Sequence, residues 1–148
     1  DADALNLLAD EPLSRDDWVL TPHPGEAARL LGTSVDAVQD DRPAAAAALR
    51  NRFGGVVVLK GAGTLVHDRG LWLCDSGNPG MATGGMGDVL TGVIAGLAAQ
   101  GGDLSAAARG AVWLHGAAAD QAAFDGETGM MASDLFAPIR GLINKHHR

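Results

Sequence analysis

Hydrophobic positions in this chain alternate between two periods along its length. Val56-Val57-Val58-Leu59 is a continuous, mostly β-branched run, the pattern of a strand buried on both faces. Trp18-Val19-Leu20 is a shorter run of the same kind. Thr64–His67 and Leu71–Cys74 flank Asp68-Arg69-Gly70, which is a hairpin signal. Elsewhere the spacing is helical. Val89, Leu90, Val93, Ile94 and Leu97 fall on one stripe at i, i+1, i+4, i+5 and i+8, and Gly101-Gly102 supplies the stop. Shorter helices are predicted at Ala4–Leu8, at Glu26–Leu31 before Gly32, and at Ser34–Gln39 with Ser34 as N-cap. Pro43 opens a longer one to Phe53, ended by Gly54-Gly55. Another begins at Asp103–Ser105 and runs to about Phe124. The last is capped by Ser133, with the stripe Leu135, Ile139, Leu142 and Ile143. Strands alternating with helices predict one α/β domain with a largely parallel sheet and an antiparallel hairpin edge.

Composition narrows the partners. The 148 residues are 47% hydrophobic and 20% charged, with a net charge of −7. Such a balance argues against a nucleic-acid or anionic-membrane surface, so an anionic ligand needs donors placed locally. Cys74 is the only cysteine, which excludes an intrachain disulfide and fits a reducing cytosol; it is expected to be a buried strand residue. No stretch approaches the ~18 uninterrupted apolar residues of a membrane span.

Local donors of that kind are present. Asn78-Pro79-Gly80-Met81-Ala82-Thr83-Gly84-Gly85-Met86-Gly87 carries little side-chain bulk and runs directly into the predicted helix. A helix start leaves N–H groups without partners and concentrates positive partial charge, and glycine lets an anion approach them. Asp88 sits where loop becomes helix, and two readings stand: an N-cap, or a general base beside a phosphate cradle. Neither the G-x-x-x-x-G-K-[ST] loop nor G-x-G-x-x-G occurs.

Two further strand ends carry polar groups. Thr21-Pro22-His23-Pro24-Gly25-Glu26 is a turn stiffened by its prolines, where His23 reads either as a turn histidine bonded to backbone or as a ligand group. Lys60-Gly61-Ala62-Gly63-Thr64 follows the four-residue apolar run. Its lysine either reaches out to water or serves a second low-bulk turn whose threonine hydroxyl reaches phosphate. His67 is expected to be exposed and His115 structural. His146-His147 reads as a chain tail, since adjacent histidines do not share a helix face.

Gly85-Met86-Gly87-Asp88-Val89-Leu90-Thr91-Gly92 resembles the G-x-G-D anion-hole signature of the ribokinase-like superfamily. The preceding Asn78–Gly84 string, together with T-P-H-P-G-E and K-G-A-G-T, resembles the nucleotide-dependent NAD(P)H-hydrate dehydratases, which repair hydrated nicotinamide cofactors. The resemblance implies a ribokinase-like three-layer α/β/α fold and ADP- or ATP-dependent dehydration of hydrated NADH or NADPH. It implies Asp88 as catalytic and substrate-binding residue and His23 as substrate-binding. Lys60, Gly61, Ala62, Gly63, Thr64 and Gly87 would contact nucleotide, and Gly85, Met86 and Gly87 would form the anion hole. Glu26 would act on Mg²⁺ through water. A cytoplasmic enzyme is implied, without nucleic-acid or membrane partners, as a homo-oligomer or with a fused or partner epimerase domain. Asp1-Ala2-Asp3-Ala4-Leu5-Asn6 is similar to the segment that follows a central strand of the family, so residues 1–148 are expected to be the C-terminal half of the domain. The alternatives are a superfamily kinase of the hydroxymethylpyrimidine kinase type, which should carry Asn where His23 stands, and a non-catalytic nucleotide-binding module.

Overall fold

The structure is a computed structural model that describes residues 1–144; the His146-His147 pair lies outside the described residues. In chain order the elements are α1 (Asp3–Asp10), β1 (Val19–Leu20), α2 (Pro24–Leu31), α3 (Val35–Asp40) and α4 (Arg42–Phe53), followed by β2 (Val56–Leu59), β3 (Thr64–His67), β4 (Leu71–Cys74), α5 (Met86–Ala98), α6 (Leu104–Ala122) and α7 (Phe136–Ile143). Short 3-10 turns occupy Pro79–Met81, Ala123–Asp125 and Ala132–Leu135.

The strands form one sheet in the order β1-β2-β3-β4. β1 and β2 are parallel, with Val19 opposite Val56, and both other pairings are antiparallel. Among the described residues the sheet is therefore mixed, because the hairpin contributes two of its strands. Helices cover both faces, and the period of two along β2 explains how. Val57 and Leu59 point into a core with Leu5, Leu30, Val38, Leu49 and Phe53, from α1 to α4. Val56 and Val58 point the other way, against Leu90 and Ile94 of α5 and Ala108, Ala111 and Val112 of α6. This is the three-layer α/β/α arrangement. A third cluster joins Met86, Ala118, Ala119, Met130 and Leu135 beneath α7.

Most helix boundaries have local causes. Ser34 Oγ accepts the Ala37 N–H at 3.1 Å, Asp41 Oδ1 that of Ala44 at 2.9 Å, and Asp103 Oδ2 that of Ala106 at 3.1 Å. α2 begins at Pro24, ahead of the expected Glu26, because proline suits the first helical position and His23 caps it. Ser133 does not cap the last helix. It lies inside the 3-10 turn, where Asp134 Oδ2 accepts the Met131 N–H at 2.8 Å, and α7 starts only at Phe136.

Two side-chain expectations also shift. Cys74 is half-buried, its Sγ facing the Val112 carbonyl at 3.9 Å. His67 is half-buried rather than exposed, with Nδ1 buried and without a hydrogen-bond partner. The hairpin is tied to α6 by Arg109, whose guanidinium bonds Asp68 at 2.9 Å and lies 4.5 Å from the Trp72 ring. Burial alone would raise the Asp68 pKa. The Gly70 N–H, Ser105, Arg109 and Trp72 outweigh it and hold the carboxyl below its ordinary range.

His115 is the structural histidine expected, 6% exposed within α6. Burial pulls its pKa below the ordinary histidine value of 6.5, against an opposing contribution from the Met86 backbone. The folded chain therefore prefers the neutral ring. Stability from this group is complete above pH 6.5 and is lost as pH falls from there through the lowered pKa. His115→Gln should flatten that part of a Tm-against-pH curve; an unchanged slope would show that other groups set it.

Candidate functional site

The site forms where the C-terminal ends of β1 and β2 meet the start of α5. β1 ends in Thr21-Pro22-His23, and the Lys60 N–H donates to the Pro22 carbonyl at 2.9 Å, locking the two strand ends side by side. Lys60 then stands at the centre. Its Nζ lies 2.7 Å from Asp1 Oδ1 and 3.8 Å from Glu26 Oε2. Asp1 Oδ2 in turn accepts the Thr91 hydroxyl of α5 at 3.0 Å. Burial pulls the Lys60 pKa below its ordinary value, while Glu26 and Asp88 pull it back up. The 2.7 Å contact with Asp1 acts in the same upward sense.

The glycine loop delivers α5 onto this lysine. Gly85 is the N-cap in the left-handed region at φ 89°, which places Met86, Gly87 and Asp88 in the first turn. Asp88 is thus a first-turn acid and not the N-cap. Met86 is buried in the α7 cluster, so its side chain points inward and leaves the Gly85–Gly87 backbone clear. At Gly87 a Cβ would sit 3.1 Å from Lys60 Nζ, so the helix start and the lysine ammonium lie in close approach. Asp88 is exposed and its charge is felt at Lys60.

His23 does two things at once. Its Nδ1 accepts the Gly25 and Glu26 N–H groups at 3.0 and 3.3 Å, while Glu26 Oε2 accepts the His23 N–H at 2.7 Å, a reciprocal cap on α2. An accepting Nδ1 assigns the neutral ring's proton to Nε2. The side chain is 56% exposed, so it can also meet a ligand.

In the second turn, the Thr64 hydroxyl donates to the Gly61 carbonyl at 3.1 Å and so closes the turn instead of reaching outward. Arg42 spans the same turn from α4, with its Nη atoms on the Leu59, Lys60 and Ala62 carbonyls. Neither Arg42 nor Asp1 stood out in the sequence as chemistry. Asp1 lay in a noted string, but Arg42 had no signal beyond its place at a helix start. The second-turn residues, His23, Glu26, Lys60 and the loop at 85–88 therefore lie along one edge of the sheet. The strand histidine His67 has no part in it.

A concavity of about 760 Å³ lies elsewhere, around Gly55, Asp68, Trp72 and Arg109 at the opposite end of β2. None of the site residues lines that concavity. Among the described residues no three His, Cys, Asp or Glu side chains are grouped to hold a metal ion. No helix of the described residues is long and apolar enough to cross a membrane.

Known proteins share this arrangement of segments. A family model described as NAD(P)H-hydrate dehydratase matches residues 1–140. The chain is 55% identical over 147 residues to a bifunctional NAD(P)H-hydrate repair enzyme of Coxiella burnetii, covering 97% of this chain and 30% of that protein. It is 46% identical over 155 residues to the ADP-dependent (S)-NAD(P)H-hydrate dehydratase of Neisseria meningitidis, covering 98% of this chain and 52% of that protein. The structure superposes on an ADP/ATP-dependent NAD(P)H-hydrate dehydratase from Bacillus subtilis, co-crystallized with ATP/Mg²⁺, with a TM-score of 0.81 and 34% identity. That match covers 86% of this chain and 48% of the other. The chain thus spans about a third to a half of the length of these relatives. The glycine loop, the T-P-H-P-G-E turn and the lysine-ended strand all fall inside the matched residues, and the chain belongs to the NAD(P)H-hydrate dehydratase family.

Proposed function

We propose that this chain supplies the nucleotide-binding and catalytic face of an ADP-dependent dehydratase that restores NADH or NADPH from the hydrated cofactor. The observation that carries the reading is the approach of Gly87 to Lys60: the start of α5, a strand-end cation and Asp88 share one exposed edge. The amides at Gly85–Gly87 hold the phosphoryl group in transit, and Lys60 adds a fixed positive charge beside them. Asp88 accepts the proton of the ring hydroxyl as that oxygen takes the phosphoryl group. AMP leaves as the phosphoryl group is transferred; the resulting phosphoester then loses inorganic phosphate from one ring carbon and a proton from the neighbouring carbon, and the ring double bond reforms. Asp88 acts as a weak base held in position, which a loose phosphoryl transfer tolerates.

Mg²⁺ fits this face only as an ion carried on the phosphates. Glu26 is a single carboxylate whose Oε2 already accepts the His23 N–H, so it would hold the ion through water. Bound there, the ion would neutralise charge on the phosphates. ADP is favoured as donor by the Neisseria relative's name, and a preceding or partner epimerase domain is in keeping with the bifunctional relatives.

The test is conversion of hydrated NADH with ADP and Mg²⁺, read as recovered dihydropyridine absorbance. Restored NADH supports the dehydratase; a stable phosphoester supports a kinase; ADP binding without turnover of either supports a non-catalytic module. His23 is tested alongside. His23→Ala should raise KM for the hydrate and cost about 1 kcal/mol of stability through the lost cap. His23→Asn keeps a capping side chain, so it should recover the stability and not the KM. An unchanged KM in both variants would leave His23 as a cap alone.

A further inference from the structure

Arg42 opens α4 one residue after its N-cap Asp41, and from there its guanidinium reaches over the end of β2. Nη1 donates to the Ala62 carbonyl at 2.6 Å, and Nη2 donates to those of Leu59 and Lys60 at 3.2 and 3.3 Å. Thr64 Oγ1 holds the remaining one, Gly61, at 3.1 Å. The carbonyls of residues 59 to 62 are thus held by two side chains at the end of β2.

In a planar trans peptide the carbonyl of one residue and the N–H of the next point in opposite directions. Holding the Lys60 and Ala62 carbonyls against Arg42 therefore turns the N–H groups of Gly61 and Gly63 to the other side. The first peptide of the series shows the rule at work. The Leu59 carbonyl meets Arg42, and the Lys60 N–H opposite it meets the Pro22 carbonyl at 2.9 Å. Gly61 is also shaped to this clamp. Its φ is +140°, and a Cβ there would lie 3.0 to 3.3 Å from the Arg42 guanidinium atoms.

We propose that Arg42 is a positioning residue for nucleotide binding, which aligns the Gly61 and Gly63 amides toward a phosphate without touching the ligand. The inference rests on the reading above that the turn at residues 60–64 contacts nucleotide. A lysine in its place keeps the charge but lacks the planar fork that meets several carbonyls together. The expected signature is confined to nucleotide.

The experiment compares the unsubstituted chain with Arg42→Lys, Arg42→Met and Gly61→Ala by calorimetric ADP titration, steady-state kinetics and thermal melting. All three variants should show roughly tenfold or weaker ADP binding with a matching rise in KM for ADP, as for lost charge-assisted hydrogen bonds. In both Arg42 variants, kcat at saturating ADP and KM for the hydrated cofactor should stay within about twofold, because the phosphoryl cradle of α5 is untouched. General damage would move all three kinetic constants together with Tm, and that pattern would overturn the proposal. Arg42→Lys keeps the test open if Arg42→Met does not fold. Unchanged ADP constants in both Arg42 variants, while Lys60→Met loses ADP, would overturn the clamp and leave the nucleotide reading standing. If the unsubstituted chain binds no ADP, the reading and the clamp fall together.

Discussion

Replacing Asp88 by Asn is expected to lower turnover of hydrated NADH by about 10²–10⁴-fold, the range for loss of a positioned general base. The fold should persist, because Asp88 is exposed and caps nothing; only its interaction with the α5 dipole is lost, about 0.3–1 kcal/mol. ADP affinity should hold or improve, since a negative charge leaves the vicinity of Lys60 and the phosphates. A variant that binds ADP, melts normally and does not restore NADH places Asp88 in the chemistry. Near-normal turnover removes it and leaves a first-turn acid with no task beyond the helix dipole.

Lys60→Met should do more damage to the molecule as a whole. The Asp1 and Glu26 side chains are 12% and 10% exposed, and the substitution leaves both without their shared cation. Removing one partner of such a buried pair costs on the order of 3 kcal/mol. ADP affinity should fall with it, because the fixed charge beside the Gly87 amide is gone. Urea melts and ADP titration measure the two losses separately. Adding Asp1→Asn to Lys60→Met should recover part of the stability and none of the affinity, which separates the ion pair from the ligand role. Normal denaturation and normal ADP binding in Lys60→Met would end the case for this site.

The lysine also predicts a pH dependence. Its folded pKa lies below the ordinary 10.5, so between the lowered value and 10.5 the unfolded chain binds more protons. Through this group, stability rises with pH across that window. ADP affinity changes in the opposite sense, since it needs the charged form and weakens as pH climbs through the lowered value. Opposite slopes for Tm and for ADP affinity would be hard to obtain from an exposed lysine.

Much of this architecture could be read locally. β2, β3 and β4 begin and end where the apolar runs do, and Ser34, Asp41 and Asp103 cap helices as their side chains dictate. Ser133 misled because a 3-10 turn begins ahead of it, closed by the Asp134 carboxylate on the Met131 N–H, so Ser133 lies inside the turn and not before a helix. His67 misled because its strand lies inside the sheet, where β2 and β4 flank it on both sides.

The amino-acid order alone determined the strand run that ends in Lys60, the low-bulk loop before α5, an acid at the junction of loop and helix at Asp88 and the stiff turn at His23. These depend on period, bulk and capping within a few residues. Only the tertiary structure decided that Lys60 meets Asp1 and Gly87, that Asp1 reaches Thr91, and that Arg42 holds the second turn. Those contacts join residues 17 to 90 positions apart, and each exists only because sheet order and helix packing set the strand ends and the α5 start side by side.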